Sequence, residues 1–166
     1  MLLDTERYDD AMRQKLTLVS SCLAGLPCRY DGRARPDDAV VQAVADGTAL
    51  PACAEQLGGL STPRPPVEIV GGDGHDVLAG TASVLTSDGV DLTSAFVHGA
   101  QVVAELVAER GITHAVLQDR SPSCGCGTIY DGSHSGALVN GDGVLAAVLK
   151  SRGVTVEALR GQSPQR

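Results

Sequence analysis

The chain has 166 residues, a formal net charge of −7, five cysteines, one Phe, three Tyr and no Trp. Such acidity works against non-specific binding to nucleic acid or to an anionic membrane surface, and so few aromatics leave no base-stacking platform for single strands. The length suits one domain with its own core, built here from Val, Leu and Ala with twenty glycines to allow close packing.

Residues 1–14 are expected to form an N-terminal arm, 15–160 a single α/β domain and 161–166 a polar tail. The opening Met1-Leu2-Leu3-Asp4-Thr5-Glu6-Arg7 has acids where a secretory signal carries bases, and no apolar stretch follows. The expected location is therefore the cytoplasm. There, an odd number of thiols suits metal binding or catalysis better than disulfides.

The first strand is predicted at 16–20. It runs into a loop holding Cys22, Cys28 and the turn Tyr30-Asp31-Gly32. A helix at about 37–46 follows, with Ala39, Val40, Ala43 and Val44 on one face and Gly47 as its stop. A second strand, 48–52, leads to Cys53. Residues 54–66 carry Gly58-Gly59 and three prolines without periodicity, which suits neither a helix interior nor a central strand. Residues 67–70, a Gly-Gly-Asp-Gly turn and residues 76–85 read as a β-hairpin excursion. The strongest helix is predicted at 91–111. Leu92, Ala95, Phe96, Gly99, Val103, Leu106 and Val107 give it a 3.6-residue stripe, Asp91 or Thr93 can cap it, and Gly111 ends it. A strand through Ala115-Val116-Leu117 then enters Ser121-Pro122-Ser123-Cys124-Gly125-Cys126-Gly127. A Gly-rich loop to Gly141, a helix at 142–152 and a strand at 153–157 complete the chain.

This alternation predicts a Rossmann-like three-layer α/β domain with a mostly parallel sheet and the β-hairpin excursion. In open parallel sheets, sites form outside the carboxyl ends of the strands. Cys22, Cys53 and Cys124 all fall at such ends, although they are far apart in sequence. Three separated thiolates suit a soft metal or a cluster better than an oxygen-loving cation. A closed zinc site wants four N/S ligands, commonly paired at short spacing; there is no CxxC, so Cys28 or Cys126 would have to be the fourth. The missing CxxC also disfavours a thioredoxin-type pair, and no phosphate-binding glycine motif follows any strand.

Glu55, two residues beyond Cys53, could carry a proton at such a centre or simply pair with Arg64. Arg64 lies among prolines, which suits either an anionic or carbonyl-bearing substrate or a tie to Glu55. Asp73, His75 and Asp76 read as a solvated hairpin turn rather than a metal trio. His98 and His114 read as structural residues, and His134 either lines the site or lies on the surface. Ser21-Cys22 and Cys28 with Tyr30-Asp31-Gly32 are echoed by Ser123-Cys124 and Cys126 with Tyr130-Asp131-Gly132. The tripeptide is a common turn; the repeat also fits two matching walls of one site.

Four long motifs stand in order here: Ser21-Cys22-Leu23-Ala24-Gly25 with Cys28-Arg29-Tyr30-Asp31-Gly32; Cys53-Ala54-Glu55-Gln56-Leu57-Gly58-Gly59-Leu60 with Thr62-Pro63-Arg64-Pro65-Pro66; Ser121-Pro122-Ser123-Cys124-Gly125; and Ile129-Tyr130-Asp131-Gly132. Together they resemble a bacterial family catalogued as domain of unknown function 523, whose characterised relatives are 2-thiouracil desulfidases. The resemblance implies a 4Fe–4S cluster held by Cys22, Cys53 and Cys124, with one iron left open. It departs from the family pattern at Ala54, where Pro is common, at Gln118, where Lys is common and bears on substrate choice, and at Cys126, where Ser is common. The last departure argues against Cys126 as a required ligand.

The expected function is removal of sulfur from a thiocarbonyl such as a thiolated pyrimidine base, by non-redox hydrolysis. Glu55 is the expected proton carrier, and Arg64, Ser121 and Ser123 are the expected substrate contacts. The expected partner is a small thiolated substrate, with no nucleic acid and no membrane. The alternatives are a non-catalytic iron–sulfur sensor of sulfur or redox state and a zinc-stabilised structural domain.

Overall fold

A computed structural model describes residues 15–162. The expected arm, 1–14, and most of the expected tail lie outside the described residues. Four parallel strands form the central sheet: β1 (Thr17–Ser20), β2 (Ala49–Ala52), β5 (His114–Gln118) and β8 (Thr155–Leu159), in the order β2-β1-β5-β8. Pro51 is tolerated within β2 because that strand is at the sheet's edge, where a missing N–H breaks no ladder on its open side.

Side chains alternate across the sheet. Leu18, Ala115 and Leu117 point to one face, where they pack with Phe96 and Val103 of α4 (Thr93–Glu109) and with Leu145 and Leu149 of α5 (Val144–Ser151). Val19 and Val116 point to the other face, against Val40 and Val44 of α1 (Asp38–Ala45). Helix, sheet and helix thus make the three layers that the alternation predicts. The mixed α/β architecture with a mostly parallel sheet and antiparallel excursions is as expected.

The excursion differs in detail. β3 (Val67–Val70) and β4 (Ser83–Thr86) do pair antiparallel, but no tight hairpin turn joins them. Between them lies α3 (Gly74–Ala79), opened by a capping box in which Asp73 accepts the His75 and Asp76 N–H groups while Asp76 accepts the Asp73 N–H. Those acids are cap residues, not a solvated turn. Within 54–66, which carries no periodicity, a single helical turn, α2 (Ala54–Leu57), follows Cys53 directly. The Gly-rich stretch before Gly141 contains a second antiparallel pair, β6 (Thr128–Tyr130) with β7 (Leu138–Asn140). The last strand sits two residues later than predicted, at Thr155–Leu159.

The chain leaves β1 towards β2 on one side, whereas β5 connects towards β8 on the other. The crevice of such a sheet opens where the strand order reverses, at the carboxyl ends of β1 and β5. Among the described residues, no helix is long and apolar enough to cross a membrane.

Candidate functional site

A cavity of about 270 Å³ opens at that crevice. Cys22, Cys28, Cys53 and Cys124 line it, as do Glu55 and Ser121. The three strand-end cysteines expected to share one place therefore do so, and a fourth thiol joins them.

Each thiol is delivered by a short, well-bonded segment. After β1 the chain turns tightly, with the Leu23 N–H donating to Ser20 O and the Arg35 N–H to Cys22 O, so that Cys22 is only 6 % exposed. Cys53 leaves β2 in extended conformation and opens α2. The strand before Cys124 ends at Gln118, earlier than the cysteine. Arg120, at a left-handed φ of 66°, reverses the chain into a turn in which Ser121 Oγ accepts both the Ser123 and the Cys124 N–H at 3.1 Å. The carbonyls of Pro122 and Ser123 then accept the first N–H groups of α5, at 2.8 and 2.9 Å, so the Cys124 turn caps a helix that would otherwise start with unmet donors.

The surroundings raise three of the cavity thiols, Cys28, Cys53 and Cys124, above the ordinary thiol value. Cys28 is pushed up to about 12, chiefly by the hydrogen bond with the Cys22 thiol, against the opposing effect of Cys53. Cys53 is raised by its hydrogen bond with Cys28 and then by burial. Burial pushes Cys124 up to about 12, partly offset by the Ser20 hydroxyl. Burial also raises the Glu55 carboxyl, while the charge and hydrogen bond of Arg64 pull it back.

Not every expected site residue reaches the cavity. Arg64 lies behind it, its side chain 3 % exposed. It donates to Cys28 O at 2.8 Å, to Ser61 O at 3.1 Å, to Thr62 Oγ1 at 3.0 Å and to Glu55 Oε1 at 3.4 Å. Its guanidinium thus ties the Cys22–Cys28 loop to the Cys53 loop. Ser123 is buried behind Cys124, and its hydroxyl has no partner among the described residues. Cys126 points away: its thiol donates to Val156 O at 3.5 Å. Tyr30 and Tyr130, one from each half of the sequence echo, both line the cavity. His134 is not among the lining residues; its Nδ1 lies 3.6 Å from Glu68 Oε2. His114 pairs with Glu157 at 3.1 Å, consistent with a structural residue.

Two residues that the sequence left open, Cys28 as a possible fourth ligand and Gln118 as a departure from the family pattern, both line the cavity. Cys28 has a readable signal, since it lies in the same loop as Cys22. Gln118 is the last residue of β5, where the resemblance implies a bearing on substrate choice.

The donor set can be tested against the groups it might hold. Zinc–sulfur bonds of about 2.3 Å put the sulfurs of one tetrahedral ion roughly 3.8 Å apart. Among the described residues, the one trio of His, Cys, Asp or Glu side chains with ligand atoms within 4.8 Å of one another is Asp73, His75 and Asp142, outside the cavity. No three cavity thiols come that close. An all-sulfur set spread more widely than one ion needs fits a polynuclear iron–sulfur group. The Asp73 trio is already satisfied by protein contacts, with the Lys150 ammonium 2.8 Å from Asp142.

Comparison with known proteins gives the fold's relatives and the family. A solved structure of a [4Fe-4S]-dependent thiouracil desulfidase, TudS, superimposes with a TM-score of 0.77 at 38 % identity, covering 87 % of this chain and 90 % of that one. An uncharacterised Bacillus subtilis (strain 168) protein, YbbK, is 45 % identical over 121 residues, 73 % of this chain and 80 % of its own length. The profile of the 2-thiouracil desulfurase family matches residues 17–159, nearly the whole described chain. The protein belongs to the 2-thiouracil desulfurase family.

Proposed function

We propose that this protein is an iron–sulfur dependent desulfidase, a hydrolase of carbon–sulfur bonds acting on a small thiocarbonyl substrate such as a thiolated pyrimidine base. The observation that carries the reading is the gathering of thiols from three strand-end loops beside the half-buried Glu55 carboxyl. Cys22, Cys53 and Cys124 would hold a 4Fe–4S cluster. When bound, the cluster supplies a Lewis-acidic iron with an open position suited to a soft sulfur atom.

The remaining roles fall to the chain's own side chains. Glu55 is bonded through Oε1 to Arg64, which leaves Oε2 to take a proton from the attacking water and return it to the departing group. Burial raises its pKa above the ordinary carboxylate value, the direction that suits a proton carrier. Ser121 uses its oxygen to accept two N–H groups, leaving its O–H to donate to substrate. Arg64 acts by holding Glu55 and the Cys28 backbone rather than by touching substrate. Ser123 shapes the Cys124 turn from behind. No electron is consumed, so no external reductant takes part, and a cytoplasmic setting would keep the thiols reduced.

The test is anaerobic reconstitution with iron, sulfide and zinc analysis, followed by incubation with a panel of thiolated pyrimidines. Sulfide release without added electrons is the expected result. Release only with stoichiometric electrons overturns the hydrolytic mechanism. A full cluster that releases nothing from any thio-substrate favours the sensor, and zinc in place of iron favours the structural domain.

A further inference from the structure

Gln118 ends β5 where the strand order reverses, and it lines the cavity together with Ser20 and Cys124. It is only 8 % exposed. A buried amide ordinarily spends its donors and its acceptor inside the protein. Here the backbone N–H donates to Ser20 Oγ at 2.9 Å, and the side-chain Oε1 accepts the Gly161 N–H at 3.5 Å. The two contacts fix the residue at both ends and orient the amide, with its carbonyl turned to the backbone beyond β8. Nε2 has no acceptor among the described residues. It is also not one of the polar atoms sealed from solvent, and the open space at Gln118 is the cavity. This is a residue more than nine-tenths buried, with a side-chain donor left unspent.

The geometry points to Gln118 as a specificity-determining residue, its Nε2–H donated to an oxygen or ring-nitrogen acceptor on an uncharged thiolated heterocycle. The inference rests on the desulfidase reading and adds which edge of the substrate is read. A neutral donor in a buried wall pairs with a neutral acceptor without stranding a charge. With Oε1 turned to the Gly161 N–H, the amide presents its donor to the cavity, so a ring with N–H at that position leaves two donors facing each other. Sites built to meet a substrate hydrogen bond reject analogues lacking it far more strongly than apolar pockets reject a missing methylene.

Uracil, which offers carbonyl acceptors and has no sulfur to lose, is the probe. Its binding to reconstituted protein is measured by calorimetry, with iron content recorded for each sample. Gln118→Met keeps the length and removes the donor, and Gln118→Glu keeps the shape but offers only acceptors. Expected are wild-type iron content in both, a dissociation constant raised about tenfold in the first and on the order of a hundredfold in the second. A variant with full iron that binds uracil within about twofold of wild type overturns the inference while leaving the desulfidase reading intact. Loss of iron from both variants makes Gln118 a scaffold residue and overturns it as well. Wild-type protein with a full cluster that neither binds uracil nor releases sulfide from any thio-pyrimidine overturns the desulfidase reading itself, and this inference with it.

Discussion

Four thiols share the cavity, yet they are not held alike. Cys22, Cys53 and Cys124 each come from a different strand-end segment, so each supplies a separate wall. Cys28 shares its loop with Cys22 and hydrogen-bonds both Cys22 and Cys53; it is a neighbour to those thiols more than a wall of its own. Accordingly, Cys22→Ala, Cys53→Ala and Cys124→Ala should each abolish cluster assembly, Cys28→Ala should weaken it at most, and Cys126→Ser should leave it intact because that thiol faces Val156. Visible absorption after anaerobic reconstitution checks this, and a full cluster in Cys53→Ala would sink the ligand set. Glu55→Gln should keep the cluster and lose on the order of 10²–10⁴-fold in turnover, the usual cost of removing a proton carrier. Sulfide release at matched iron content is the measure, and near-wild-type turnover would remove Glu55 from the mechanism.

At the scale of elements, the position of Glu55 depends on how α2 lies against α4. Gly99 of α4 faces the carbonyl of Ala54, and Gly58 faces the carbonyl of Ala95. A Cβ at either position would fall on backbone that cannot swing aside, so the two segments touch only because both residues are glycine. Gly99→Ala should therefore displace α2, at a cost of about 1–3 kcal/mol, or roughly 2–12 °C in Tm for a chain of this size. Turnover should fall further than iron content, since Glu55 moves more than Cys53. An unchanged Tm would show that α2 has slack. These contacts also explain what could be read from the sequence. The apolar runs before Cys22, Cys53 and Cys124 fixed strand ends, and parallel topology brings strand ends together, so the thiol cavity was legible. α2 was not, because one helical turn carries no period. α3 was hidden by glycines that suggest a hairpin, although Asp73 and Asp76 hold the spacing of a cap. The inward turn of Arg64 was not legible either: flanking prolines indicate stiffness but not direction, and the structure spends its donors on Cys28 O, Ser61 O, Thr62 Oγ1 and Glu55.

For the molecule as a whole, the wall that carries Cys124 is tied to the rest through one carboxylate. The Cys124 turn rests on the start of α5, and Asp142, just before that helix, accepts from Gly127 N–H at 2.9 Å and from Lys150 Nζ at 2.8 Å, and contacts His75 Nε2 at 2.9 Å. Its own N–H donates to Asp73 Oδ2 at 3.1 Å, which joins α3 to the same point. Burial pushes the Asp142 carboxyl up, but the hydrogen bonds from Lys150, the Gly127 N–H and His75 outweigh it and hold the group below the usual carboxylate range. A depressed folded-state pKa contributes stability that is fully present above the unfolded value, about 3.9, and is lost as the pH falls through the folded value. Asp142→Asn should thus lower stability near pH 7 by about 1–3 kcal/mol, through an unpaired Lys150 and weakened acceptors. The gap between wild type and variant should close as the pH drops below about 4. Thermal melts of both proteins from pH 7 down to pH 3 check the sign. A gap that stays constant across that range would mean that the ionised form of Asp142 contributes nothing, and that the Cys124 wall is held by α5 packing alone.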